Sequence, residues 1–196
     1  IGLGIPAEPL FRSRSGKMFS EASKHALSFE KYSDNVAKNI RIAQNYTFRN
    51  GLKGLESMAQ KATALKLDMA QVASFADKVS TIEGSIDVAS KLQVLGGQFA
   101  AIADPLGMLS EGLMDMEGLT DRVIKMVGGL GGFNRQTGEV EVSAFNKQRI
   151  KAAAQAMGMD YSQLMESVNA SAKREEVTRQ INASANARGL NKDLQI

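Results

Sequence analysis

Three features of the sequence predict a mostly α-helical, multi-helix assembly with one short β-hairpin near residues 133–142. Apolar residues recur at three- and four-residue steps over most of the 196 positions, the spacing that lines one face of a helix. Proline occurs only three times, and alanine and methionine are frequent, a composition that lets helices run without interruption. Between the glycines at 128–132 and Ser143 the pattern changes to alternation. There Phe133, Val140 and Val142 suit one face of a ribbon, with Gly138 at the end of its turn.

In chain order, residues 1–16 read as an extended arm, because Pro6 and Pro9 disfavour helix. Residues 17–127 form a helical region. Its first stripe, Phe19, Ala22, Ala26, Phe29, Val36, Ile40 and Ala43, ends at Asn50-Gly51. A second helix is expected from Gly51 to about Leu67, with Leu55, Met58, Ala62 and Leu65 on one face. Asp68 suits the N-cap of a third through Val79, since its carboxylate can accept from the first free amides. Ser80 or Thr81 caps a fourth, with Ile82, Ile86, Ala89 and Val94 near one side and Gly96-Gly97 ending it. Phe99–Ala103 is a short apolar helical piece, and Asp104-Pro105 opens the next helix. Gly112 and Gly118 weaken a continuous helix there, so Leu106–Val127 is expected to divide into two short ones. The second carries Leu119, Val123, Ile124 and Val127 at helical spacing.

Residues 128–142 read as a glycine hinge and β-ribbon, and residues 143–187 as C-terminal helices. Ser143 can cap Ala144–Met157, Gly158 suits its C-cap, and a last helix starts at Asp160 or Tyr161 with Leu164, Met165 and Val168 apolar. Beyond Arg174 the composition turns polar, which fits an exposed helix to about Ala187 and a frayed tail at 188–196.

The composition argues against most chemistry. Cysteine is absent, which removes disulfides, thiolate zinc sites and cysteine nucleophiles. His25 is the single histidine, and no acid or nucleophile can be assigned to it by spacing. Metal-ligand spacing is lacking as well. Glu111, Asp115, Glu117 and Asp121 form an acidic series that reads as a solvated helix face. The run Gly128-Gly129-Leu130-Gly131-Gly132 follows a helix and precedes a ribbon, whereas a phosphate loop needs a strand before it and a Lys-Ser/Thr pair after it. No catalytic, cofactor or metal residues are nominated, and no enzyme is expected. The net charge of +3, from 24 basic and 21 acidic residues, is too small to imply nucleic acid by itself. No stretch approaches the roughly 20 apolar residues that span a bilayer. The first residue is Ile rather than Met, which reads as a segment of a longer protein. Most of the ten methionines suit core packing.

One motif points to nucleic acid. Ile150–Val168 has the form of a helix-turn-helix: small Ala154, turn Gly158, apolar Met159, then Leu164 and Val168 inward. Lys147, Arg149 and Lys151 flank its start, Gln163 lies on the second helix, and Lys173 and Arg174 come after its end. That second helix otherwise offers Ser162, Glu166, Ser167 and Asn169, and Glu166 would be repelled by phosphates. The residues therefore favour the helix pair over the DNA function.

The stretch of about residues 81–174 resembles a segment of the tail tape-measure proteins of long-tailed bacteriophages. The resembling pieces are KLQVLGGQFA (Lys91–Ala100), DPLGML (Asp104–Leu109), GLTDRVIKMVGGLGGFNRQTGEVEVSAFNKQRIKAAAQAMGM (Gly118–Met159) and SQLMESVNASAKR (Ser162–Arg174). The resemblance implies a structural virion protein made in the host cytoplasm that occupies the tail tube and sets its length. It would associate in several copies and contact tail tube, initiator or tip proteins. Wholly helical, the chain would reach only about 290 Å, so it would be one segment of a longer ruler. The family's extended coiled coil and membrane-active apolar helix are absent from it. The ribbon at Gly128–Val142 and the helix from Lys173 are the expected contact surfaces. The alternatives are the helix-turn-helix module and another internal virion protein ejected with the genome.

Overall fold

The computed structural model describes Phe48 and residues 50–187. The expected N-terminal arm, the stripe from Phe19 to Ala43, His25 and the tail at 188–196 lie outside the described residues. The described elements are α1 (Gly51–Leu65), α2 (Met69–Val79), α3 (Ile82–Leu95), α4 (Gly97–Ala101), α5 (Pro105–Met114) and α6 (Met116–Val127). They continue with β1 (Gly132–Asn134), β2 (Glu139–Glu141), α7 (Ala144–Met157) and α8 (Tyr161–Ala187). The fold is mostly helical with one small antiparallel sheet, as the periodicity predicts.

Helix starts reflect local capping chemistry. Ala70 N donates to Asp68 Oδ1 at 2.9 Å, Gly84 N to Thr81 Oγ1 at 3.1 Å, and Asn146 N to Ser143 Oγ at 3.1 Å. Asp160 Oδ1 accepts from Ser162 N at 2.8 Å and Gln163 N at 3.1 Å. Each such cap satisfies an amide that the helix cannot, and is worth about 0.5–2 kcal/mol. Pro105 opens α5, where its missing N–H costs nothing.

The helices close around one core. Its centre is α6, whose Leu119, Val123 and Met126 are fully buried and Val127 nearly so. α6 packs against α1, α2, α4, α5 and α8. Met58, Met108, Met116, Met126 and Met157 are buried as well, whereas Met114 is exposed. From α2 come Val72, Phe75, Ala76 and Val79, from α7 Ile150 and Ala153, and from α8 Leu164 and Val168.

Three expectations need correction. Ile82, Ile86 and Val94 do share a side of α3, but that side faces solvent, at 65, 53 and 87% exposure. The buried side of α3 carries Ser85, Val88, Ala89 and Leu92. This helix has apolar residues around most of its circumference, so periodicity admits two faces and the packing of α2, α5 and α7 selects one.

The break between α5 and α6 falls at Asp115, with φ −150 and ψ 75, and not at a glycine. Gly118 lies inside α6 and donates to Asp115 Oδ1 at 3.1 Å. The four acids therefore do not form one solvated face. Glu111 takes two bonds from Arg122, at 2.6 and 2.7 Å. Asp115 is buried at the cap, Glu117 accepts from Asn50 Nδ2 at 3.0 Å, and Asp121 pairs with Lys61 at 2.6 Å. Arg122 also donates to the Ile102 carbonyl at 2.6 Å. Its bonds to Glu111 hold the guanidinium above its ordinary pKa against the opposing effect of burial. A helix break places these acids on two differently packed elements, where each finds a different partner.

Gly112 lies within α5 for a packing reason. A Cβ there would stand 2.9 Å from Val79 Cγ2 and 3.1 Å from the Ala76 carbonyl oxygen. At an open helical site Gly→Ala gains about 1 kcal/mol. Here the sign reverses: Gly112→Ala is expected to lower the unfolding free energy by about 1–3 kcal/mol in urea titration, by overpacking the α2–α5 contact. A more stable variant would show that this contact has room to spare.

Candidate functional site

The helix pair α7–α8 has the geometry its sequence predicts. Gly158 adopts the left-handed C-cap at φ +74, and Met159 N donates to the Ala154 carbonyl at 2.9 Å, closing the end of α7. Ala154, Met159, Leu164 and Val168 are all buried. The outer face of α8's first turns is poor in cations. Ser162 and Glu166 are exposed, Gln163 is half-buried, and Ser167 is fully buried with its hydroxyl donating to the Gln163 carbonyl at 3.2 Å.

The basic residues separate into two groups. Lys147, Lys151, Lys173 and Arg174 are exposed. Arg149 is not free to meet a phosphate. Its Nε donates to the Leu95 carbonyl at 2.8 Å and its Nη2 to the Gly96 carbonyl at 2.6 Å. Its guanidinium also lies 4.8 Å from the Phe99 ring centre and 5.2 Å from that of Phe145. Arg149 thus caps the carbonyl end of α3 and stacks between two rings, an arrangement suited to a planar fork. Phe145, one helical turn away, is the only part of this environment the sequence could indicate, because the carbonyl partners lie more than 50 residues back.

The ribbon pairs Gly132 with Glu141, Phe133 with Val140, and Asn134 with Glu139. Asn134 Oδ1 accepts from Gln136 N at 2.9 Å, and Gly138 stands at φ +71, which shapes the turn. The segment that reads as a hinge is tied at several points. Gly129 N donates to Glu175 Oε1 at 3.2 Å, and Asn146 Nδ2 to the Leu130 carbonyl at 3.0 Å. Arg135 Nε meets Glu176 Oε1 at 2.7 Å. Glu176 is 3% exposed and also takes bonds from Arg179 at 3.0 Å and Gln180 at 2.9 Å. α8 is therefore exposed at Lys173, Arg174 and Glu175, turns Glu176 into the ribbon contact, and is exposed again from Val177 to Ser184. No sequence signal links Arg135 to Glu176, 41 residues apart.

A shallow groove of about 400 Å³ runs between α3 and α7, lined by Lys91, Val94, Leu95, Ala152, Gln155 and Ala156. Its lining is mostly apolar, with no carboxylate. Among the described residues, no group of His, Asp or Glu could hold a metal ion, and no helix is long and apolar enough to cross a membrane. The described surface carries exposed apolar side chains on several helices, a ribbon tied to α8, and an exposed stretch of α8 from Val177 to Ser184.

Comparison with protein-family models, curated proteins and solved structures gives no match.

The ties made by Arg149 and Glu176 can each be tested by substitution. Arg149→Ala is expected to cost about 1–3 kcal/mol in chemical denaturation, since it leaves two helix-end carbonyls without a charged donor. Arg149→Lys should recover little, because an ammonium cannot fork or stack in the same way. Full recovery by lysine would reduce the site to charge alone. For Glu176, the hydrogen bond from Arg135, then that from Gln180, holds the carboxyl below the ordinary carboxylate range, against a smaller desolvation effect. A depressed folded pKa gives stability that is present above the unfolded value, near 4.5, and lost as pH falls through the folded value. Glu176→Gln should lower Tm at neutral pH and flatten the acid limb of the Tm–pH curve. An unchanged acid limb would mean that the latch contributes nothing to pH dependence.

Proposed function

We propose that this chain is a non-catalytic, structural segment of a tape-measure protein from a long-tailed phage, working by self-association and by contact with tail tube, initiator or tip proteins. The reading is carried by the sequence resemblance over about residues 81–174. Its pieces run from the second half of α3 to the first half of α8, and they contribute Leu92, Phe99, Leu119, Ile150 and Leu164 to a common core. A protein that acts by occupying a lumen needs stiff elements and adhesive faces rather than a catalytic cleft. The surface supplies α8, about 40 Å long, and several exposed apolar side chains: Ile82, Val94, Leu106, Phe145 and Ile181 among them.

The mechanism is physical occupancy. In it Lys147, Lys151, Lys173 and Arg174 serve as solvated charge, and Arg149 as a structural clamp. The test is an antibody raised against the chain, applied to fractionated phage lysate. The expected result is a band far heavier than the chain itself, co-sedimenting with tails. A band of the chain's own size in the soluble host fraction overturns the proposal. So does salt-sensitive binding to duplex DNA that alanine at Lys147 and Lys151 abolishes, because such binding would identify a nucleic-acid module.

A further inference from the structure

Asn50-Gly51 is the one Asn-Gly pair in the 196-residue chain, and it falls where α1 begins, with both residues exposed. A glycine after asparagine matters chemically because it has no side chain to obstruct a close approach to its amide nitrogen. A Cβ at Gly51 would meet no atom of the described residues within 4 Å, so the space beside that nitrogen is open. The Asn50 carboxamide makes no cap bond to α1, unlike the side chains of Asp68, Thr81 and Ser143 at their helices. Its Nδ2 instead donates to Glu117 Oε2 of α6 at 3.0 Å. We infer that Asn50 is a site of spontaneous deamidation, and that its conversion unties the start of α1 from α6.

The reaction needs only water. The Gly51 nitrogen attacks Asn50 Cγ, and an N–Cγ bond forms as the Cγ–Nδ2 bond breaks. The proton from Gly51 N leaves with the amino group as ammonia, and a five-membered succinimide remains. Water then opens the ring at either carbonyl. Opening at Cγ gives aspartate, and opening at the main-chain carbon gives isoaspartate, whose chain runs through the former side chain. In the folded chain the Gly51 N–H donates to the Phe48 carbonyl at 3.0 Å, and Asn50 stands at ψ 17. Ring closure therefore requires release of that bond and rotation about ψ, an opening confined to a helix end, where fraying costs little. Asn134 is the contrary case. Its Oδ1 accepts from Gln136 N at 2.9 Å and Thr137 N at 3.3 Å, its Nδ2 donates to Glu141 at 2.6 Å, and Arg135 follows it in sequence.

Aspartate sets a carboxylate against Glu117 in place of the donor. Isoaspartate loses the donor and adds a carbon to the main chain where α1 begins. Lys61 lies 3.9 Å from Glu117 but already meets Asp121 at 2.6 Å. Two acids share that ammonium, and a third adds repulsion.

The site stands whether or not the chain belongs to a phage tail. The full chain is held folded at mildly alkaline pH and digested at intervals, and fragment mass spectrometry follows the exchange of NH for O at each asparagine. Conversion at Asn50 is expected to be at least about tenfold faster than at Asn134, where a side chain crowds the following nitrogen. A protease that cuts before aspartate should leave part of the product uncut, as isoaspartate. Gly51→Ala should slow conversion at least about tenfold, with circular dichroism to check that the variant is folded. For the tie, Asn50→Asp should lower Tm more in the native background than beside Glu117→Gln. Conversion in urea but not in the folded chain overturns the site, because the first turn of α1 then stays shut. A folded Gly51→Ala variant that converts as fast as the native chain overturns the ring-closure route. Equal Tm effects in the two backgrounds overturn the untying of α1 from α6.

Discussion

Burial of the apolar stripe on α6 is the constraint on which the other elements depend. Leu119, Val123, Met126 and Val127 reach five neighbouring helices from one short segment. The opposite flank is fixed by Arg122, which holds Glu111 of α5 and the carbonyl end of the α4 region at Ile102. Apolar contact supplies most of the free energy, and the forked ion pair orients α5 relative to α6. The asymmetry of buried polar groups matters here: a half-buried guanidinium that lost Glu111 would keep its desolvation cost without its partner.

Two further polar ties extend the order outward from that core. Arg149 joins the start of α7 to the end of α3, and Arg135 with Glu176 joins the ribbon to α8. Each connects an arginine to groups 40 or more residues away in sequence. The ribbon is three residues per strand, too short to be stable alone, and it persists because α8 holds it.

Local chemistry was legible wherever a cap or a turn residue acts over two to four positions. Asp68, Thr81, Ser143, Asp160, Gly138 and Gly158 occupy the roles their types suggest. The core stripe of α6 was legible too, because one side of that helix is apolar and the other charged. The candidate contact residues were less so. Arg149 resembles its neighbours Lys147 and Lys151 in charge, and nothing local distinguishes a clamp from a solvated cation. The acidic series misled for a related reason: its face existed only if the helix ran through Asp115, and an exposed-looking carboxylate took the cap instead.

By itself the sequence determined the helix content, nearly every boundary, the ribbon's position and the absence of thiol chemistry, since these depend on residue spacing and short-range hydrogen bonds. Tertiary structure alone decided which side of α3 is buried, why Gly112 is a glycine, and whether Arg149 is a clamp or a free cation. Those outcomes depend on what packs from elsewhere in the chain. A helix with apolar residues on both sides has no inward face until its neighbours arrive, and a cation is solvated or structural according to carbonyls some fifty residues away.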